Sequence, residues 1–277
     1  MTSFISSSKS SDKSDNDAFS KPLRILVLAA LLVVVVEVVT RGFSDNGGSS
    51  GGKADLLTVQ PEEDGIYLLG NSMFKTGIDV QLLDNSLPND LVDFEYHNGH
   101  YTNLWYLIAK SALPDIQEVP SVIVWGYRPR YALDPAFRQN RLNATDLFAI
   151  DDPLYNSLSS SGEVTNGGAG DFIAGPFKSF DEGYVPRTAE AIADLGIPQV
   201  VIIWRPVAAA TGELSNAEIN FVSDSLEYFA ENAIPVLNLF DDEEIGIDFF
   251  ASGDHYNAAG REYITLKLAN FLQITLS

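Results

Sequence analysis

Two stretches near opposite ends of the chain carry the residue types that acyl transfer uses. In Leu68-Leu69-Gly70-Asn71-Ser72-Met73-Phe74 an apolar run stops at a glycine and a small polar pair follows, so Ser72 is expected on a strand-to-helix turn at a sheet edge. A serine held there presents its hydroxyl as a nucleophile, and the backbone N–H groups at the helix start, lacking intrahelical acceptors, can face an oxyanion. The second stretch is Asp254-His255-Tyr256-Asn257. Of three histidines, His255 alone lies just before a predicted final helix, where a general base can approach the serine over the same sheet edge.

Other chemistry-bearing clusters carry less. His97 and His100 flank Gly99, with Asp93 and Glu95 nearby, but no clustered third ligand completes a metal site, and polar edge residues are the expected role. Asp241-Asp242-Glu243-Glu244 lacks the spaced Asp-x-Asp-x-Gly of a calcium loop and reads as a solvated loop. The aromatic residues Tyr101, Trp105, Tyr106, Trp125, Tyr127 and Tyr131 could stack on sugar rings near the edge, whereas Trp105 and Tyr106, at helix spacing, are expected in the core. The chemistry calls for no metal and no cofactor.

The elements that must position these residues alternate. Strands are expected at 65–70, 92–96, 121–125, 200–204 and 235–240, short and mostly apolar, as in a parallel sheet buried on both faces. Helices are expected at 77–86, 102–112, 187–195, 215–232 and 257–273. Ser215 and Glu218 form a capping box, and Ile219, Val222, Leu226 and Phe229 give the fourth helix one apolar stripe. Residues 129–186 break the alternation with five prolines and the run Ser157-Leu158-Ser159-Ser160-Ser161-Gly162, and read as an insertion over the sheet edge, a lid or substrate wall.

Composition bounds the partners. The 277-residue chain is 45% hydrophobic and 11% aromatic, which is globular, while a formal charge of -21 and a pI near 4.3 argue against nucleic acid and anionic lipid surfaces. Such acidity fits a salty exterior and a generic solubility device equally. With no cysteine, disulfides, thiolate nucleophiles and zinc-thiolate sites are all excluded.

The N-terminus supplies the compartment. Residues 1–22 read as a disordered cytoplasmic tail and residues 23–40, centred on Ile25 to Val36, as a transmembrane signal anchor. Lys9, Lys13, Lys21 and Arg24 precede the apolar run and Arg41 alone follows it closely, an asymmetry that keeps the N-terminus inside and exports the rest. A cleaved signal peptide is the competing reading, although no Ala-x-Ala site follows. Residues 41–63, with Gly47-Gly48-Ser49-Ser50-Gly51-Gly52, form a flexible linker, and about 220 residues then make one domain, 64–277.

Gly70-Asn71-Ser72 on a strand-turn-helix, His97-Asn98-Gly99-His100 after the second strand, and Asp254-His255-Tyr256-Asn257-Ala258-Ala259-Gly260 before the last helix resemble the SGNH/GDSL hydrolase superfamily. Closest is its membrane-anchored exported branch of polysaccharide O-acetyltransferases and esterases. The resemblance covers roughly 64 to 275. It implies an α/β, flavodoxin-like three-layer sandwich with a central parallel sheet, preceded here by one N-terminal transmembrane helix. It also implies Ser72 as nucleophile, His255 as base, and oxyanion donors from the backbone of Ser72 and Gly99.

Two positions depart from that pattern. The orienting Asp of the family stands three residues before the His, where this chain has Ser252; Asp254, Asp248 or a backbone carbonyl could hold the imidazole instead. The family's third oxyanion donor, an Asn after the third strand, is missing from Trp125-Gly126-Tyr127-Arg128-Pro129-Arg130. Arg128 could serve there as an oxyanion donor or as a clamp on an anionic substrate, or be a surface arginine paired with an acid.

The functional expectation is a serine esterase or O-acyltransferase on acyl or acetyl esters of an extracytoplasmic polysaccharide or envelope component, tethered to the lipid bilayer by one helix. The alternative is a catalytically inactive polysaccharide-binding or assembly protein of the same fold. If residues 23–40 anchor the protein, fractionation of expressing cells should leave it in the membrane with residues 23–40 intact. A soluble product beginning after residue 40 would refute the anchor.

Overall fold

The computed structural model describes residues 57, 59–87, 92–96, 102–132 and 180–276. Strand β1 (Ile66–Gly70) opens the domain, and every one of its five residues is buried. It is followed at once by α1 (Ser72–Gly77) and then by α2 (Val80–Ser86), capped by the Asp79 side chain. Next come β2 (Val92–Tyr96), α3 (Thr102–Ser111), a 3-10 turn at Leu113–Asp115, β3 (Val122–Tyr127) and the short α4 (Pro129–Ala132). A 3-10 turn at Phe180–Glu182 leads to α5 (Tyr184–Ala193), β4 (Gln199–Ile203), α6 (Val207–Thr211), α7 (Asn216–Glu231) and β5 (Val236–Asn238). The 3-10 turn Ile247–Phe249, the hairpin of β6 (Phe250–Ser252) and β7 (His255–Tyr256), and α8 (Ala258–Thr275) close the chain.

The five main strands form one parallel sheet in the order β2-β1-β3-β4-β5. Alternate residues of each strand feed the two faces. Ile66, Leu68, Val122, Val124, Val200 and Ile202 meet Met73, Phe74, Leu83, Ile264, Leu268 and Leu272 from α1, α2 and α8. On the other face Tyr67, Leu69, Ile123, Trp125, Val201 and Ile203 meet Trp105, Ile108, Val185, Ile192, Phe221 and Phe229 from α3, α5 and α7. Continuous apolar strands are what a sheet covered on both sides requires, and the result is the three-layer sandwich expected from the sequence. In this strand order the chain reverses direction across the sheet between β1 and β3, and the crevice outside the carboxyl ends of such strands is where doubly wound sheets bind ligands.

Several sequence expectations shift in the structure. The helix expected at 77–86 is two helices, the first starting at Ser72 itself, because Gly77, Ile78 and Asp79 interrupt the turn and Asp79 caps a new start. Ile219 is 46% exposed, so the buried stripe of α7 runs through Glu218, Phe221, Val222, Ser225 and Phe229 instead. The Ser215–Glu218 capping box is present in both directions. Trp125 and Tyr127 are core residues, like Trp105 and Tyr106, and offer no stacking platform at the edge. The ends of the stretch 129–186 are helical, in α4 and at the start of α5, while residues 133–179 lie outside the described residues. So do the expected anchor at 23–40 and Gly99, His97, His100 and Tyr101. Among the described residues no helix is long and apolar enough to cross a membrane.

Buried phenols make an alkaline prediction. Burial pushes Tyr67, Tyr127 and Tyr256 far above the usual phenol value, reinforced at Tyr67 by Glu95 and Asp93 and at Tyr256 by Asp254. Tyr228 is pushed up to about 12, first by burial and then by Glu190 and Asp181. A phenol that binds its proton more tightly when folded contributes stability that is complete below the unfolded value of about 10 and is lost as pH rises toward the folded value. Unfolding free energy should therefore be level with respect to these groups up to about pH 10 and fall above it. Ultraviolet phenolate absorbance should show Tyr67, Tyr127 and Tyr256 ionising only with unfolding; their free titration near pH 10 in folded protein would contradict it.

Candidate active site

Ser72 occupies the first helical position of α1, directly after β1 and its bridging residue Asn71. Asn71 is the N-cap, and its side-chain oxygen accepts the Met73 N–H at 2.9 Å. That bond takes Met73 N–H out of use as an oxyanion donor and leaves the Ser72 N–H, first in the helix, without an intrahelical acceptor. Gly70 is required by what packs on it: a Cβ there would lie 2.2 Å from Phe74 Cγ. The Gly-Asn-Ser order thus has a separate reason at each position. Glycine admits the Phe74 ring, asparagine caps, and serine begins the helix half-exposed at the carboxyl edge of the sheet.

His255 stands at the start of β7, also half-exposed, across the ladder from Ser252. The motif after it is explained by the cap of α8. Asn257 accepts the Gly260 N–H at 3.0 Å and donates through Nδ2 to the Asp248 carbonyl at 2.5 Å, while a Cβ on Gly260 would sit 2.6 Å from the Phe249 carbonyl. The turn between β6 and β7 depends on Gly253, whose φ of 53° is left-handed.

The two stretches meet through packing. Helix α1 lies against β7, and the indole of Trp204, just past β4, fills the space between them and the sheet. Its ring is 5.0 Å from Phe74 edge-on and 6.0 Å from Tyr256, and a Cβ on Gly77 would be 2.7 Å from it. No hydrogen bond joins Ser72 Oγ to His255 among the described residues, so the structure brings the candidate nucleophile and base onto adjoining elements without closing them on each other. Apo hydrogen bonds of this kind are commonly open until substrate binds.

Asp254 is turned elsewhere. Its Oδ1 accepts the N–H of Val207, the first residue of α6, at 2.6 Å, and its Oδ2 pairs with Arg128 Nη2. The carboxylate thereby caps a helix whose own N-cap, Pro206, offers no side-chain acceptor. It makes no hydrogen bond to His255. The carboxyl-bearing Asp248 is exposed, in the 3-10 turn before β6. Arg128 emerges past β3 beside the serine turn, as the sequence suggested, with Nη1 3.8 Å from Met73 Sδ and its guanidinium 4.0 Å above the Tyr131 ring. It is neither a free cation nor a surface one: its side chain is 12% exposed and that of Asp254 13%.

Three contributors were not singled out from the sequence. Trp204 is one. Arg205 is another, buried and donating to the carbonyls of Ile245 at 3.0 Å, Phe240 at 2.5 Å and Ala209 at 3.3 Å. The third is Tyr256, whose hydroxyl donates to the Arg205 carbonyl at 2.7 Å and anchors the residue after His255. Gly126 was the available signal: one glycine in an otherwise bulky strand marks the close approach of something large. A Cβ there would lie 2.9 Å from Trp204 Nε1 and 2.6 Å from the Ile202 carbonyl. The acidic run folds back on its own chain, with Asp242 accepting from Lys267 and, at 3.1 Å, from Tyr263. Among the described residues no group of three His, Asp or Glu side chains could hold a metal ion.

The sequence matches no protein-family model and none of the curated proteins. Among solved structures the chain is similar to a protein assigned as an acylhydrolase from Bacteroides fragilis, 11% identical, covering 81% of this chain and 95% of that one, with a TM-score of 0.50. The chain has that protein's fold. It is also similar to a GDSL-like lipase from Bacteroides thetaiotaomicron, 12% identical, covering 78% and 92% at a TM-score of 0.46. A lipase/acylhydrolase from Enterococcus faecalis is 15% identical, covering 76% and 95% at a TM-score of 0.45. At these identities the likeness concerns the fold, and the chemistry rests on this chain's residues.

The tie after His255 is directly testable. Tyr256→Phe leaves the Arg205 carbonyl without its donor in a buried setting, and should cost about 1–3 kcal/mol of unfolding free energy. Urea denaturation should show a lower midpoint at an unchanged slope, and an unchanged midpoint would mean that the hydroxyl bond holds nothing.

Proposed function

We propose that the chain is a serine esterase or O-acyltransferase that acts on acyl or acetyl esters outside the cytoplasm, held to the bilayer by residues 23–40. One observation carries the enzymatic reading: Ser72 begins a helix at the switch point of the parallel sheet, and that helix packs directly against the strand that begins with His255. In the reaction His255 accepts the Ser72 hydroxyl proton as Oγ bonds to the ester carbonyl carbon. The Ser72 N–H, with that of Gly99, stabilises the negative oxygen. The C–O bond to the leaving alcohol then breaks as the imidazolium returns the proton, leaving an acyl-serine. Water or a sugar hydroxyl attacks this acyl group, giving its proton to His255, and the imidazolium returns the proton to Ser72 Oγ as its bond to the acyl carbon breaks.

A specific observation favours a second reading, a non-catalytic carbohydrate-binding or assembly protein: Asp254 is committed to Arg128 and Val207, and Ser72 and His255 are not hydrogen-bonded. A fluorophosphonate probe separates the two, since it reacts with an activated serine. The parent protein should label at Ser72, Ser72→Ala should not label, and His255→Ala should lower ester turnover by about 10³-fold or more while remaining folded. A folded parent that does not label decides for the binding reading.

A further inference from the structure

The residue before His255 and the residue after Ser72 touch the same side chain. Arg128 pairs through Nη2 with the Asp254 carboxylate, and its Nη1 lies 3.8 Å from Met73 Sδ. It is braced from a third side by the Tyr131 ring at 4.0 Å. Asp254 is in turn fixed by the Val207 N–H at 2.6 Å, and Gly253, with φ of 53°, lets the chain double back so that the carboxylate reaches both partners. Beyond His255 the tie runs through Tyr256 to Arg205. The backbone of His255 is thus held on both sides, and the hold on its N-terminal side is charged and nearly buried, so water offers little replacement for it.

We infer that Arg128 is a positioning residue, which sets the imidazole of His255 relative to Ser72 by clamping Asp254, so that Asp254 serves as the anchor of the base rather than as its orienting acid. This rests on the reading of Ser72 and His255 as nucleophile and base. The planar guanidinium suits the task because one fork can engage a carboxylate and a neighbouring residue at once while its face stacks on an aromatic ring; an ammonium is a point charge without that face. The consequence for rate is geometric, since misplacing a reacting group by an ångström costs on the order of 10²-fold.

The test uses the full-length protein and two independent readouts: amide hydrogen exchange across 250–256, and the rate of fluorophosphonate labelling at Ser72. Arg128→Ala should raise exchange in 250–256 by about tenfold or more, leave β3 and β4 protected, and slow labelling by about ten- to a hundredfold. Arg128→Lys should recover part of the parent behaviour in both readouts, and Asp254→Asn, which keeps an acceptor for Val207 while losing the charge, should show the same loosened exchange and slowed labelling, and serves in place of Arg128→Ala if that variant folds poorly. With p-nitrophenyl acetate the loss should fall on kcat with KM nearly unchanged, because a clamp on the base touches no substrate. Parent-like exchange and labelling in Arg128→Ala and Asp254→Asn would overturn the inference, as would loosened exchange with undiminished labelling. A parent that never labels overturns the serine reading itself, and parent-like exchange in the variants would still refute the clamp.

Discussion

The architecture around the candidate site depends on one large side chain lying over one missing side chain. Trp204 leaves β4 and its indole lies against β3 at Gly126, where any Cβ would collide with both the indole and the Ile202 carbonyl. From there it supports Phe74 and Gly77 of α1 and Tyr256 of β7, so the elements carrying Ser72 and His255 share one rigid, fully buried floor. Shape complementarity of this kind tolerates little change, because interiors are packed at crystal density and a shift on one side is passed to the other. The backbone adds its own fixation at the same place, as Trp204 N–H donates to the Tyr127 carbonyl at 3.0 Å.

Above that floor the irregular segments are held by cations whose partners are mostly oxygens of the main chain. Arg205 gives its fork to three carbonyls from α6 and the 240–245 segment, and Arg261 Nε donates to the Ile78 carbonyl at 3.2 Å, between α1 and α2. In a chain of formal charge -21, arginines spent on carbonyls near the carboxyl edge set the local field apart from the global one. Net charge describes solubility and long-range encounter. It says little about a crevice whose described charges include Arg128, Arg205 and Asp254.

The sequence was most legible where a single physical rule dominates. Apolar runs located all five parallel strands to within a few residues, and the Ser215–Glu218 pair located the start of α7, because burial on two faces and reciprocal capping leave few alternatives. It was less legible where several weak preferences compete. The interval after Ser72 reads as one helix at 77–86, but capping by Asn71 and again by Asp79 makes two short ones. Ile219 follows helical spacing and is nevertheless exposed, while Phe221 and Ser225 are among the buried residues of α7. At the candidate site, residue type and order single out Ser72 and His255. They do not single out the partners of Asp254, since Arg128 and Val207 are 126 and 47 residues away from it in sequence and only the tertiary fold brings them together.

The acid beside His255 is tied to the framework and not to the imidazole. In the superfamily that the motifs resemble, the carboxylate stands three residues before the histidine, and here that place is Ser252, directly across the β6–β7 ladder from His255. Side chains so placed have Cβ atoms about 4.5–5.5 Å apart, close enough for a carboxylate to meet an imidazole. This chain has serine there, and Asp254 lies on the far side of Gly253, whose left-handed turn directs its carboxylate toward Arg128 after β3 and Val207 of α6. The Asp254 charge is bonded to the framework that carries the imidazole and not to the imidazole itself. Stabilising an imidazolium requires contact with the ring, whereas holding its backbone does not, so the two placements make different demands on the neighbouring residues. The first needs a free carboxylate. The second needs a partner of opposite charge with a fixed plane, and Arg128, braced between Met73 and Tyr131, meets that requirement.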